Sequence, residues 1–149
     1  MEIRRATVED LADIFTCNIN AFKNYITLIN RAPAPMMVDF SAELKNNDLF
    51  VACENNEILG FALIQDTEDD FMWLDVLAVN PQHQGKGVGR KLLNFTEQFI
   101  LKHGKSECRL NTNVKFERTL GIYLQYGFEI YETPVVHGYE RHYLKKKLK

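Results

Sequence analysis

No run in this sequence approaches the roughly 20 apolar residues needed to span a bilayer, so a membrane is not an expected partner. Cysteine is scarce: Cys17, Cys53 and Cys108 are widely spaced and odd in number. They form neither a disulfide framework nor a metal-ligand cluster, and no metal is expected. A surplus of positive charge is also missing. Lys and Arg total 18 against 20 for Asp and Glu, a net charge of −2, which argues against a nucleic-acid-binding face. The one basic run, Lys145 to Lys147 with Lys149, reads as a solvated strand end. The opening MEIRRATVEDL has no apolar core of the kind a secretory signal carries, and the expected location is cytoplasmic. No internal repeat, low-complexity tract or linker divides the chain. What is there is 149 residues, 46% hydrophobic and 26% charged, which suits one domain over residues 1–149.

The chain is organised around Phe71 to Gly104. Phe71 to Val79 is a nearly unbroken apolar run, aromatic and β-branched, and reads as a strand. Simple alternation puts Phe71, Trp73, Asp75, Leu77 and Val79 on one face. Asn80-Pro81 punctuates the chain, and Gln84-Gly-Lys-Gly-Val-Gly-Arg90 leads into a helical pattern. Val88, Leu92, Leu93, Phe95, Phe99 and Ile100 fall near one stripe, and Gly104 is a good stop. Glycines between a strand and a helix let backbone N–H groups converge. The helix N-terminus adds unpaired N–H groups and the positive end of its dipole, which together suit a phosphate. Lys86 and Arg90 add positive charge. A Walker loop would need Ser or Thr where Gly87 stands, and the dinucleotide fingerprint would need Gly where Arg90 stands.

The pattern that does fit is Gln/Arg-x-x-Gly-x-Gly/Ala, here Gln84-Gly85-Lys86-Gly87-Val88-Gly89. With Leu77-Ala78-Val79-Asn80-Pro81 before it, the stretch resembles the acetyl-CoA pyrophosphate loop of the GNAT superfamily of N-acetyltransferases. A second match lies downstream. Ile122-Tyr123-Leu124-Gln125-Tyr126-Gly127-Phe128 resembles the ending L-Y-x-x-x-G-F, with Tyr123 at the family's tyrosine. Many members carry Asn seven residues before that tyrosine, where this chain has Phe116. Another variant reads L-x-T-N upstream, and Leu110, Thr112 and Asn113 follow it, so Asn113 becomes the candidate to meet the pantetheine arm or cap the helix.

The resemblance implies an α/β acyl-CoA N-acyltransferase fold, a mixed sheet of about seven strands flanked by about four helices. It implies that the central strand splays from the strand after the motif helix. Backbone groups of Leu77, Ala78 and Val79 would pair with pantetheine there, and Gln84, Gly85, Lys86, Gly87, Val88, Gly89 and Arg90 would hold the pyrophosphate. The implied activity is acetyl transfer from acetyl-CoA, as co-substrate, to a primary amine of a small molecule or peptide in a ternary complex. A non-catalytic acyl-CoA-binding sensor with the same fold, or a transferase of larger acyl groups, is the competing reading. Homodimers are common among members, and Tyr139 to Leu148 could supply an edge strand for one.

The reaction sets two proton problems. An amine with a pKa of about 10 attacks only when neutral, and a leaving thiolate with a parent pKa near 8.5 is helped by an acid. Tyr123 suits the acid. For the base, some members place His or Glu on the central strand at offsets that fall on Asp75 and Trp73, and Trp73 cannot act. Asp75, the sole acid inside the apolar strand, would have its pKa raised by burial, as base or as anchor for the amine. His83 reads as structural or close to the phosphates.

Around this centre the chain reads as follows. Thr7 and Asp10 form a capping-box-like start to a helix reaching about Phe22, with Leu11, Ile14, Phe15 and Ile19 buried. Phe22 to Asn47 shows no clean period, is broken by Arg31-Ala-Pro-Ala-Pro35, and reads as a cleft wall or a core-packing connector, with a short helix at Asp39 to Asn46. Phe22, Tyr25 and Trp73 are candidate pocket walls for the acceptor. Asp48 to Gln65 reads as a hairpin in which Gly60 marks a bulge or a close approach. The acidic Asp66 to Asp70 is a solvated loop or a lure for a cationic amine.

Overall fold

An eight-stranded sheet runs through the computed structural model, which describes residues Met1–Lys149. Strand β1 (Glu2–Arg5) leads through a 3-10 turn at Val8–Asp10 into α1 (Leu11–Phe22). Helix α2 (Tyr25–Ile29), a 3-10 turn at Ala34–Met37 and α3 (Phe40–Asn46) follow. Next come β2 (Asp48–Glu54), β3 (Glu57–Gln65), β4 (Phe71–Val79), α4 (Val88–Lys102), β5 (Glu107–Asn113) and α5 (Glu117–Gln125). The chain ends with β6 (Glu129–Glu132), β7 (Val135–Val136) and β8 (Tyr139–Lys147). In space the order is β1-β2-β3-β4-β5-β8-β6, and β7 also pairs with β8. Only β4 and β5 run parallel. The expected α/β class with a mixed sheet is observed, with one more strand and the single-turn α2 added.

Local chemistry sets the turns. Asn55 and Asn56, at φ 52° and 64°, join β2 to β3, and His137-Gly138, at 51° and 79°, join β7 to β8. Two-residue hairpins with both residues left-handed match the natural twist of paired strands. At the first helical entry, Asp10 Oδ2 accepts from Thr7 N at 2.8 Å, and Arg4 grips the same carboxylate at 2.7 and 3.0 Å. Asp39 caps α3 by accepting from the amides of Ser41 and Ala42 at 3.1 and 3.3 Å. Gly60 does both things expected of it. The β2–β3 register shifts beside it, and a Cβ there would meet the Ala78 carbonyl oxygen at 2.6 Å.

The sheet separates two cores. On one side Leu92, Leu93 and Ile100 of α4 pack with Met72, Leu74, Leu110 and Leu144. On the other, Ile14, Cys17 and Phe40 pack with Val51, Phe61, Leu63, Val76 and Ala78. Each fully buried aliphatic side chain contributes about 2 kcal/mol. The α1 stripe differs from expectation: Leu11, Ile14, Cys17, Asn18 and Ala21 face inward, while Phe15 is 56% exposed. The two stripes share Leu11 and Ile14, and packing on the sheet selects the one through Cys17 although it carries the polar Asn18.

Two further expectations are corrected. Strand β4 does not alternate throughout. Ile64 faces Leu74 and Leu63 faces Val76, so Asp75 is an extra residue in a β-bulge. Met72 and Leu74 therefore pack on the α4 side and Val76 and Ala78 on the α1 side, while Leu77 and Val79 join the α4 side. The other strand to differ is β8, which is not an edge. It lies between β5 and β6 because the hairpin at His137-Gly138 turns it back along Glu107–Asn113. The sheet edges are β1 and β6.

Candidate active site

Strands β4 and β5 pair at only three positions, Phe71 with Glu107, Met72 with Cys108 and Trp73 with Arg109. Beyond that point β5 stays paired to β8 along Glu107–Asn113, while β4 leaves it. The divergence begins where the Asp75 bulge sits, and bulges bend and twist the strand that carries them. From Leu74 to Val79 the β5-facing backbone edge of β4 has no strand partner.

A cavity of about 270 Å³ occupies the notch. Its sides are Leu74–Leu77 of β4 and Leu110–Asn113 of β5. Phe116, Thr119 and Tyr123 close it from the α5 side, and Phe22, Ile29, Pro33–Pro35 and Val38 form the opposite wall. Glu43, Leu63, Tyr139 and Arg141 complete the lining. The proline-containing segment is therefore a cleft wall, fastened to α1 by Asn18 Nδ2, which donates to the Pro35 carbonyl at 2.9 Å.

At the far end of the same edge stands the glycine loop. Gly85 and Gly87 have φ of 81° and 83°, and Gly87 caps the fifteen-residue α4. A Cβ at either position would meet no protein atom within 4 Å, so both open onto free space. Gly89 instead lies where a Cβ would touch Val79 at 3.5 Å. Gln84 Nε2 donates to the Val79 carbonyl at 3.2 Å and ties the loop to the end of β4. Val88 is buried in the core, while Lys86 and Arg90 are exposed. Open left-handed glycines, a helix N-terminus and two cations fit a pyrophosphate. His83 Nε2 is engaged with Glu57 Oε1 at 2.8 Å, a structural role.

Asp75 and Tyr123 both line the cavity. Burial among the cavity walls pushes the Asp75 carboxyl up to about 6, and the nearby Glu43 adds repulsion in the same direction. Its side chain still opens onto the cleft. Tyr123 is 8% exposed, and burial holds its phenol above the ordinary range. It therefore carries its proton throughout neutral pH.

Of the three expected pocket walls, Phe22 lines the cavity. Tyr25 stands behind the lining: it stacks on Phe116 at 4.0 Å, and its hydroxyl meets Thr119 Oγ1 at 3.2 Å. Trp73 lies elsewhere, edge-on to Phe71 and Tyr143 at 5.2 and 6.0 Å, because the bulge separates its face from that of Leu77 and Val79. Ala78 points its side chain into the α1-side core, and the Val79 carbonyl is taken by Gln84. Asn113 lines the cavity and uses Oδ1 to accept from the Lys115 amide at 2.9 Å, shaping the turn into α5. The acidic loop is outside the site. Asp66 pairs with Lys105 at 2.6 Å and Asp70 with Ser106, at the end of β4 where the strands still pair. Sequence reasoning missed Glu43, Asn111 and Arg141, for which no motif gives a signal.

A family model, the acetyltransferase (GNAT) domain, matches residues 45–130. A comparison with curated proteins found no match. Among solved structures, the PaiA N-acetyltransferase from Thermoplasma acidophilum in complex with coenzyme A is 20% identical, with a TM-score of 0.82 over 98% of each chain. The ribosomal-protein-S18-alanine N-acetyltransferase from Escherichia coli is 19% identical, with a TM-score of 0.77 over 99% of this chain and 93% of its own. An IAA acetyltransferase from Bacillus cereus is 19% identical, with a TM-score of 0.71 over 98% of each. At such identities the likeness to solved structures is one of fold. The family match, which runs from the end of α3 into β6, goes further and takes in the notch and its glycine loop. By that match the chain belongs to the GNAT acetyltransferase family.

Proposed function

We propose that this protein is a single-domain N-acetyltransferase, residues 1–149, that uses acetyl-CoA to acetylate a primary amine of a small molecule or peptide by direct attack in a ternary complex. The observation that carries the reading is the short β4–β5 ladder. It frees one backbone edge of β4 that runs from the cavity holding Asp75 and Tyr123 to the glycine loop at the start of α4.

Leu77 to Val79 offer backbone groups to the pantetheine arm, and the amides of Gly85 to Gly89 with Lys86 and Arg90 hold the pyrophosphate. Bound there, the thioester supplies the activated acetyl group. Glu43 and Asp75 make the acceptor side of the cavity negative, which draws in an ammonium group. With its carboxyl near 6, Asp75 is mostly ionised at neutral pH and takes the amine proton, directly or through one water. The amine nitrogen bonds to the acetyl carbon as the carbon–sulfur bond breaks. The departing electron pair goes to sulfur, which Tyr123 meets with its hydroxyl proton.

Free-thiol release tests the reading. Acetyl-CoA is offered with polyamines, amino acids, aminoglycosides and short peptides to wild type, Asp75→Asn and Tyr123→Phe. Amine-dependent release that falls in both variants while acetyl-CoA binding survives supports it. Acetyl-CoA binding with no release for any amine overturns it in favour of the sensor.

A further inference from the structure

The charges lining the cavity are segregated. Its acids, Glu43 and Asp75, belong to α3 and β4. Its sole cation, Arg141, belongs to β8, beyond the far side of the notch, paired in register with Asn113 of β5. Arg141 has no carboxylate partner in the fold. Its polar contact is Asn111 Oδ1 at 3.4 Å, which leaves most of the guanidinium free. It also lies 5.3 Å from the centre of the Tyr139 ring. That ring is held by a 2.7 Å hydrogen bond from its hydroxyl to the Ala32 carbonyl, and Arg31 lies 3.4 Å from its centre. Two guanidinium groups thus gather on one tyrosine at the edge of the cavity, with no acid among them.

A monoamine would answer only the acidic side. It would leave the half-buried Arg141 without a partner, and the one cation of the lining would then play no part in recognition. A carboxylate matches the planar fork of Arg141 in two parallel hydrogen bonds. We infer that the acceptor is an amino-carboxylate, its ammonium group toward Asp75 and Glu43 and its carboxylate on Arg141. This rests on the N-acetyltransferase reading and names its substrate class.

The test uses the full chain and matched acceptors: glycine, β-alanine and γ-aminobutyrate, each beside its carboxamide, with aminoalkylphosphonates of the same lengths to separate a carboxylate from a phosphate-like anion. Turnover is read as thiol release. Binding of the same compounds to the CoA-loaded protein is read by calorimetry. The expected result is a preference of about 10- to 100-fold in kcat/KM for the best carboxylate over its amide, the range for a hydrogen-bonded charge. In Arg141→Gln that ratio falls toward one through KM for the carboxylate, and Arg141→Lys restores part of it. CoA titration and a thermal melt show that each variant is folded. Equal use of amide and carboxylate, a phosphonate preference, or a ratio unchanged in Arg141→Gln overturns the inference while leaving the transferase reading intact. Arg141-dependent binding of carboxylates without any turnover overturns the transferase reading and the acceptor role with it, and leaves Arg141 as a carboxylate site only.

Discussion

Asp75→Asn should make the protein more stable and less active at neutral pH. The carboxyl sits near 6 in the fold, raised first by burial and then by Glu43, against an ordinary value near 3.9. Between those values the folded state binds more protons than the unfolded chain, so stability falls as pH rises from about 4 to about 6 and stays lower above. A shift of about two units sets a ceiling of about 3 kcal/mol. Because Asp75 opens onto the solvent of the cleft, screening reduces this to about 1 kcal/mol. Asparagine keeps the shape without the charge. At pH 7 to 8 the variant should be about 1 kcal/mol more stable, a rise of about 3 °C in melting temperature for a chain of this size. At pH 4 the two proteins should melt together, because the wild-type carboxyl is then neutral. Urea or thermal unfolding of both across this range makes the comparison. The kinetic counterpart is a wild-type kcat/KM that rises with pH through about 6, absent from Asp75→Asn. A variant no more stable than wild type at pH 8, or a gap that persists undiminished at pH 4, would refute the desolvation argument.

Tyr123→Phe should lower kcat by about 10²- to 10⁴-fold, the range for a positioned acid, with acetyl-CoA binding unchanged by calorimetry. Gly87→Ala should raise the KM for acetyl-CoA while costing about 1 kcal/mol of stability, since its φ of 83° strains any side chain. Gly60→Ala should destabilise by about 2 kcal/mol in urea, because its Cβ would meet the Ala78 carbonyl at 2.6 Å and force β3 from β4. In the native protein a maleimide should label Cys53 and spare Cys17 and Cys108. Burial pushes both latter thiols up to about 12, and mass mapping of the labelled peptides reads the result.

Features fixed by neighbours in the chain were legible. The strand before the glycine loop, the amphipathic α4 and the helix stop at Gly127 each follow from propensity and local backbone geometry, and Gly127 has the expected positive φ of 96°. Features fixed by packing between distant segments were not. Phe15 and Cys17 lie on overlapping helical stripes, and only contact with β3 and β4 decides between them. Tyr139 to Leu148 looks like a terminal edge strand until the His137-Gly138 hairpin inserts it beside β5. Arg141 reaches the cavity by that insertion alone, and Glu43 by the docking of α3 against β2.

The Asp75 bulge belongs to the same class, yet it left a trace. It carries no glycine or proline to announce it, and alternation put Trp73 and Asp75 on one face. The trace was an acid in an apolar strand, and the structure supplies its reason. A regular β4 would continue its ladder with β5 past Trp73, pairing the backbone edge and closing the notch. The bulge interrupts that ladder, swaps the faces of the residues beyond it, and leaves at the interruption a side chain belonging to neither core. An apolar residue there would have been drawn into one of the two cores, whereas a carboxylate keeps to the opening. The cavity and the destabilising charge are therefore one feature. For that reason the stability gained by Asp75→Asn and the activity lost with it should appear over the same pH interval.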